Sequence, residues 1–237
     1  MHRQDESYGQ DDAADTHSSS AALAAGRRVL VIGASQGIGL ATCKAALAAG
    51  FRVRGLARNI DRRSLHHPEF EAVRADALNE ADVAAALQGC DAVVQTLGIK
   101  ADPATLINPV TLFSRATDVL LPAMRAAGVA RLVAVTGYGV GDSRRALPLP
   151  ERILFETVMG RVAADKERQE SAIRASDTQW TILRPGFLTL VASCPAARLR
   201  ADPPDWRNGF VSRNAVADAI VGLLRGGGYL HKAVVFT

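Results

Sequence analysis

From Arg28 onward, short apolar runs alternate with longer alanine-rich amphipathic stretches, the way parallel strands and crossover helices appear in sequence. The run VLVI at 29–32 predicts a first strand that enters a glycine loop and then a helix over 37–49, closed by Gly50. A second strand is predicted over 52–57, followed by a polar stretch to His67, a third strand over 71–74, a helix over 79–88 and a fourth strand over 92–97. A helix over 110–127, closed by Gly128, leads to a fifth strand over 132–136. Residues 137–150 read as a loop, 153–175 as a long helix and 180–183 as a sixth strand. A Pro-rich connection, a helix over 214–224, a glycine turn at 226–228 and a last strand over 233–236 complete the pattern. Strict alternation of this kind implies an α/β doubly wound parallel sheet with helices on both faces and right-handed crossovers.

Residues 1–25 break from that pattern: they carry one Arg against five acidic residues and no apolar period, a composition that does not offset the entropy of ordering. The expected organisation is a disordered acidic tail over 1–25 and one domain over 26–237, with a small C-terminal substrate-side region. The formal net charge of +4 therefore conceals a moderately basic folded part. With no run of five Lys or Arg and no zinc-finger spacing, that charge suits a phosphorylated small molecule better than nucleic acid. Cys43, Cys90 and Cys194 are widely spaced and form no C-x-x-C pair, so neither a disulfide framework nor a metal site is expected, and the cytoplasm is the expected compartment. His66, His67 and His231 likewise have no partner at metal-ligand spacing. No apolar run is long enough to span a membrane, and the first residues lack the blocks of a signal peptide.

The chemistry concentrates in VLVIGASQGIGLAT, where an apolar strand runs into three glycines and then a helix. Backbone amides and the positive helix end converge there, which is what a pyrophosphate needs. Gly33, Ser35, Gln36, Gly37, Ile38 and Gly39 are the expected pyrophosphate-side residues of a dinucleotide site in a Rossmann-type fold. The spacing is G-x-x-x-G-x-G rather than G-x-G-x-x-G. A bare strand-to-helix turn is the competing reading.

At the end of the second strand, where such folds place an acid for a ribose 2′-hydroxyl or an Arg for a 2′-phosphate, stands Arg58, with Arg62 and Arg63 close behind. NADP(H) is thus favoured over NAD(H), unless Arg58 is only a solvated charge at a strand end. Ser35 adds a hydroxyl on the same side. Asp76, with Ala77 beside it, either accepts the adenine amino group or caps the next helix. Leu97 and Gly98 offer a backbone path close to a ribose, or simply a turn.

These residues, together with RPG at 184–186, AAGVARLVAVTGYGVGDS at 126–143 and ADKERQESAIRASDTQWTILRPG at 164–186, resemble the short-chain dehydrogenase/reductase superfamily. The arrangement is most similar to the atypical NAD(P)H-binding branch, which includes NmrA-like regulators and flavin or biliverdin-IXβ reductases. The resemblance implies a nicotinamide near the ends of the fifth and sixth strands, with Thr136 beside it and Pro185 and Gly186 packed against it. It also implies a catalytic Lys four residues after a Tyr, the Lys holding the ribose and lowering the Tyr pKa. Lys166 stands at the Lys place, but Val162 stands where the Tyr belongs. Tyr138 is the alternative phenol, or a packing residue.

The expected activity is hydride transfer from NADPH to a small carbonyl, quinone or flavin-like acceptor, for which the proton can come from solvent and the cofactor carries the chemistry. A non-catalytic NADP(H)-sensing regulator is the alternative that the missing Tyr favours. Sugar epimerisation fits less well, since such relatives keep the Tyr and a larger C-terminal domain. Lys166, Gln169 and Glu170 share a helix at spacings that bring them near one face, with a surface ion pair as the other reading of Lys166. Trp180 is expected in the core, and Trp206 against the substrate side. The expected partners are an unidentified small-molecule substrate and a second copy of the chain.

Overall fold

The computed structural model describes residues 26–60, 65–99, 109–189, 197–226 and 228–237. The predicted tail, Arg62, Arg63 and Cys194 lie outside the described residues. The strands are β1 (Arg28–Ile32), β2 (Arg52–Ala57), β3 (Phe70–Arg74), β4 (Ala92–Gln95), β5 (Arg131–Val135), β6 (Gln179–Pro185), β7 (Phe187–Thr189), β8 (Leu199–Arg200), β9 (Phe210–Ser212) and β10 (Lys232–Phe236). The helices are α1 (Gly37–Ala48), α2 (Glu80–Leu87), α3 (Leu112–Ala127), α4 (Leu149–Ala175) and α5 (Arg213–Gly226).

One eight-stranded sheet runs in the order β3-β2-β1-β4-β5-β6-β10-β8. The pairings from β3 to β10 are all parallel, and only the edge strand β8 is antiparallel, through Val235↔Arg200 and Phe236↔Leu199. A fully parallel sheet was the expectation, so β8 departs from it. Strand order reverses at β1, flanked by β2 on one side and β4 on the other. That reversal opens a crevice at the carboxyl ends of the strands, where doubly wound folds bind ligands.

Two apolar layers cover the sheet. One holds Val29, Val31, Cys43, Phe51, Val133 and Ile220, with α1 and α5 on that face. The other holds Leu30, Ile32, Leu87, Leu120, Leu132 and Ile182, with α2 and α3 packed above it. The inner strands β1, β4 and β5 are buried on both sides, which is why they read as continuous apolar runs rather than alternating ones.

Most differences from the sequence-based elements lie at ends. Helix α4 begins at Leu149 rather than 153, because Pro150 sits in its first turn, where a missing amide costs nothing. Residues 141–146, expected as loop, form a 3-10 turn. The Pro-rich connection contains β7, β8, a short 3-10 turn (Pro203–Asp205) and β9, none of which was expected. Trp180 is buried as predicted, and its ring centroid lies 5.7 Å from that of His231.

Candidate functional site

The site assembles along the carboxyl edge of the sheet, and the glycine loop is its centre. The amides of Gly33 and Ala34 both donate to the Leu56 carbonyl, at 2.9 and 3.3 Å, tying the loop to the end of β2. On the other side, the amide and hydroxyl of Thr96 both donate to the Ile32 carbonyl, each at 2.9 Å. Gly33 has φ +93°, and a Cβ there would lie 2.8 Å from the Thr96 carbonyl oxygen. A Cβ on Gly39 would lie 2.1 Å from the Gly33 carbonyl oxygen, so glycine alone lets α1 start this close to β1.

Gly37 has φ +62° and open space where a Cβ would be. No side chain caps α1, and no acid stands in its first turn. The positive end of a 12-residue helix is thus exposed at the switch point. Gly37 and Gln36 are exposed, Ser35 and Ile38 half-buried, and Gly39 buried. These features fit a dinucleotide pyrophosphate: the glycines keep the cradle free of side chains, and Gly37, Ile38 and Gly39 present the first-turn amides.

On the β2–β3 side, Arg58 is exposed one residue past β2, and its carbonyl accepts the Nε–H of Arg74 at 3.1 Å. Arg74, the last residue of β3, was not singled out from sequence, because only strand register brings it beside Arg58. Asp76 is half-buried and does not cap α2. Its Oδ1 accepts the Leu78 amide at 3.0 Å, while Asn79 is the N-cap, accepting the Asp82 amide. Asp82 in turn accepts the Asp76 amide at 2.8 Å, and Ala77 is buried beside it. Leu97 and Gly98 follow Thr96 at the mouth of the crevice, Leu97 half-buried and Gly98 exposed with open space at its Cβ position.

On the β5–β6 side, the strands deliver Thr136 and Pro185 to neighbouring positions. Thr136 donates its amide to the Leu183 carbonyl, and Tyr138 its amide to that of Pro185, both at 2.9 Å. Lys166 reaches this edge from α4: its Nζ donates to the Thr136 carbonyl at 2.7 Å and stands 4.5 Å from the Phe113 ring centroid. It forms no ion pair among the described residues, so the surface-pair reading fails. Burial pulls its pKa down to about 8, against the opposing pull of Glu170 and Asp165.

Phe113 is held in turn by Asp165, fully buried next to Lys166. Its Oδ2 accepts the Phe113 amide at 2.8 Å and its Oδ1 accepts the Ser114 hydroxyl. Helix α3 has no cap of its own from Thr111, so Asp165 of α4 satisfies its N-terminal amides across the helix pair. Val162, where the superfamily's Tyr would stand, is buried.

Tyr138 is packed with Leu147, Trp206 and Val235. Its hydroxyl is buried with no hydrogen-bond partner among the described residues, and burial raises its pKa. That environment suits a packing residue better than a proton donor at neutral pH.

Gln169 and Glu170, which the sequence placed near one face with Lys166, point inward. Gln169 donates to the Gln95 side chain at 2.8 Å. Glu170 forms a buried bidentate pair with Arg184 of the RPG segment, at 3.0 and 2.5 Å, and accepts the Thr136 hydroxyl at 2.8 Å. Arg184 also pairs with Asp142 at 2.5 Å and stands over the Trp206 ring, 5.3 Å from its centroid. Gly186 is half-buried and lies against Gly209, whose carbonyl accepts the Phe187 amide at 2.8 Å. Phe187 and Phe210 face each other across β7–β9 with ring centroids 6.0 Å apart, both more than half exposed.

Cys43 and Cys90 are buried free thiols, Cys43 pushed up to about 12 by burial. Among the described residues no group of three His, Cys, Asp or Glu could hold a metal, and no helix is long and apolar enough to cross a membrane.

The chain is similar to ChuY, an anaerobillin reductase from Escherichia coli O157:H7. The two are 25% identical, with a TM-score of 0.73, over 88% of this chain and 96% of that one. It shares its fold, at a TM-score of 0.72 and 15% identity, with a short-chain dehydrogenase/reductase from Veillonella parvula DSM 2008 in complex with NADP, over 89% and 94% of the two chains. An uncharacterized chloroplastic protein of Arabidopsis thaliana is 28% identical over 204 residues, 84% of this chain and 72% of the relative. A family model described as NAD(P)H-binding matches residues 33–226, and the chain belongs to that family.

Proposed function

We propose that the protein is an NADPH-dependent reductase of a small conjugated acceptor, a carbonyl, quinone, flavin-like ring or linear tetrapyrrole, working without a tyrosine general acid. The observation that carries this reading is Lys166. It reaches the ends of β5 and β6 with an amine anchored on the Thr136 carbonyl, while the open end of α1 stands at the crevice. When bound, the dinucleotide supplies the hydride. Gly33 to Gly39 hold its pyrophosphate, Arg58 its 2′-phosphate, and Asp76 and Ala77 border its adenine. Thr136, Lys166, Pro185 and Gly186 fix the nicotinamide end, with Leu97 and Gly98 along the ribose.

Phe187 and Phe210 give the acceptor an aromatic surface beside Gly186, a contact that suits a planar ring. With Val162 at the tyrosine place and the Tyr138 hydroxyl buried, solvent is the proton source for the reduced acceptor. The similarity to an anaerobillin reductase supports an acceptor of this class. Buried free thiols suit a reducing compartment such as the cytoplasm. Leu149, Ile153 and Leu154 are exposed on the first turns of α4, which supports pairing with a second copy.

The test is anaerobic oxidation of NADPH followed by nicotinamide absorbance, with menadione, FMN and biliverdin as acceptors. Acceptor-dependent oxidation that saturates with acceptor concentration supports the reductase. Tight NADPH binding with no turnover on any acceptor supports the second reading, an NADP(H)-sensing regulator, which Val162 at the tyrosine place favours.

A further inference from the structure

We infer that Arg74 joins Arg58 in a two-arginine clamp for the cofactor's 2′-phosphate, and that Arg74 sets much of the preference for NADPH. The inference rests on the reading that the glycine loop holds the dinucleotide. Its observation is an interruption in the charge pattern along β2 and β3. Near their amino ends the two strands neutralise each other: Arg52 pairs with Glu69 at 3.0 Å and Arg54 with Glu71 at 2.8 Å. At the carboxyl ends come two arginines, Arg74 at the end of β3, level with Ala57, and Arg58 one residue further on, just past β2. Both are exposed, and neither has an acidic partner among the described residues.

The Arg74 guanidinium lies against the Arg58 backbone, so two positive charges without an acidic partner among the described residues share this corner of the crevice and repel one another. A dianion placed between the two guanidinium groups removes the repulsion and gains charge-assisted forked hydrogen bonds. The Nε–H bond from Arg74 to the Arg58 carbonyl anchors one edge of the Arg74 guanidinium, and its two Nη groups, which have no partner among the described residues, are left for a ligand. The place is right for a ribose phosphate, because the glycine loop is tied to Leu56, two residues before Arg58. The acceptor of the Arg74 bond is a backbone carbonyl, so Arg58→Ala leaves Arg74 in position. Loss of one arginine therefore weakens the clamp, and loss of both abolishes it.

The experiment is calorimetric titration of the full chain and of Arg58→Ala, Arg74→Ala, Arg74→Lys and the double alanine variant. The ligands are NADPH, NADH and the fragment 2′,5′-ADP, which carries the 2′-phosphate without the nicotinamide. Arg74→Ala is expected to weaken NADPH and 2′,5′-ADP by about tenfold or more, the scale of lost hydrogen bonds to a charged group, and to leave NADH unchanged within about twofold. Arg74→Lys, which keeps the charge and loses the fork, should fall between, and the double variant should bind NADPH no better than NADH. Equal weakening of NADPH and NADH by Arg74→Ala would make Arg74 a structural residue and overturn the inference. So would an unchanged NADPH affinity in Arg74→Ala beside a loss in Arg58→Ala, which would leave the 2′-phosphate to Arg58 alone. If the unaltered chain binds neither dinucleotide, the reading of the glycine loop itself fails, a result distinct from both.

Discussion

Replacing Glu170 by Ala should be among the most damaging single changes in the molecule away from the glycine loop. Its carboxylate is buried and accepts Arg184 Nε at 3.0 Å, Arg184 Nη2 at 2.5 Å and the Thr136 hydroxyl at 2.8 Å, with Arg174 at 3.4 Å. The substitution leaves the fully buried Arg184 with Asp142 as its remaining acidic partner, in the 3-10 turn after β5 and more than half exposed. Breaking a buried pair from one side costs about 3–5 kcal/mol, because the surviving charge stays desolvated. For a chain of this size each kcal/mol lowers the melting temperature by roughly 2–4 °C, so the expected fall is about 6–20 °C.

Glu170→Gln keeps the shape and one acceptor and should lose less, about 1.5–3 kcal/mol. Pairing Glu170→Leu with Arg184→Met should cost less than Glu170→Ala, since no lone charge remains. The control is Glu69→Ala at the half-exposed pair with Arg52, expected within about 1 kcal/mol. Urea unfolding followed by circular dichroism reads all four variants. A Glu170→Ala cost no larger than that of Glu69→Ala would show that the network does not hold β6, α4 and the loop after β5 together.

Gly39→Ala should abolish dinucleotide binding, because its Cβ would stand 2.1 Å from the Gly33 carbonyl oxygen and the loop must shift. Calorimetry shows it, and wild-type affinity in that variant would refute the close packing. Lys166 should make cofactor affinity fall as pH rises through about 8, where it loses its proton. Lys166→Met should flatten that limb, and an identical limb in the variant would assign it to another group. The linkage to stability has the opposite sign. The unfolded lysine, near the usual value of about 10.4, holds its proton longer than the folded one, so this residue's contribution to stability rises above pH 8.

The doubly wound parallel sheet could be anticipated because β1, β4 and β5 are apolar runs, each leading on to a helix, so the local pattern carries the fold class. The missed strands are different. β7, β8 and β9 are two or three residues long and exist by pairing with distant partners, Phe187 with Phe210 and Leu199 with Phe236. No local period reports such contacts.

The same division holds at the site. The glycine loop was legible because its function needs particular backbone conformations in consecutive residues. Lys166 was placed by resemblance, and the structure brings it to Thr136. Arg74 was missed because its significance lies across a strand pair. Arg184 was recognised as part of a motif, but its role as the buried partner of Glu170 and Asp142 needs three separate elements in register. Asp76 shows a choice between two local readings: Asn79 is the residue that caps α2, and one Asp76 oxygen serves the preceding turn.

The central claim, an NADPH site along the carboxyl edge of β2, β1, β4 and β5, is tested most directly by calorimetric titration of the purified chain with NADPH and, separately, NADH. The account predicts saturable binding of one NADPH per chain, at least about tenfold tighter than NADH, as expected for charge-assisted hydrogen bonds to a 2′-phosphate. Binding of neither dinucleotide, or equal affinity for both, would contradict it.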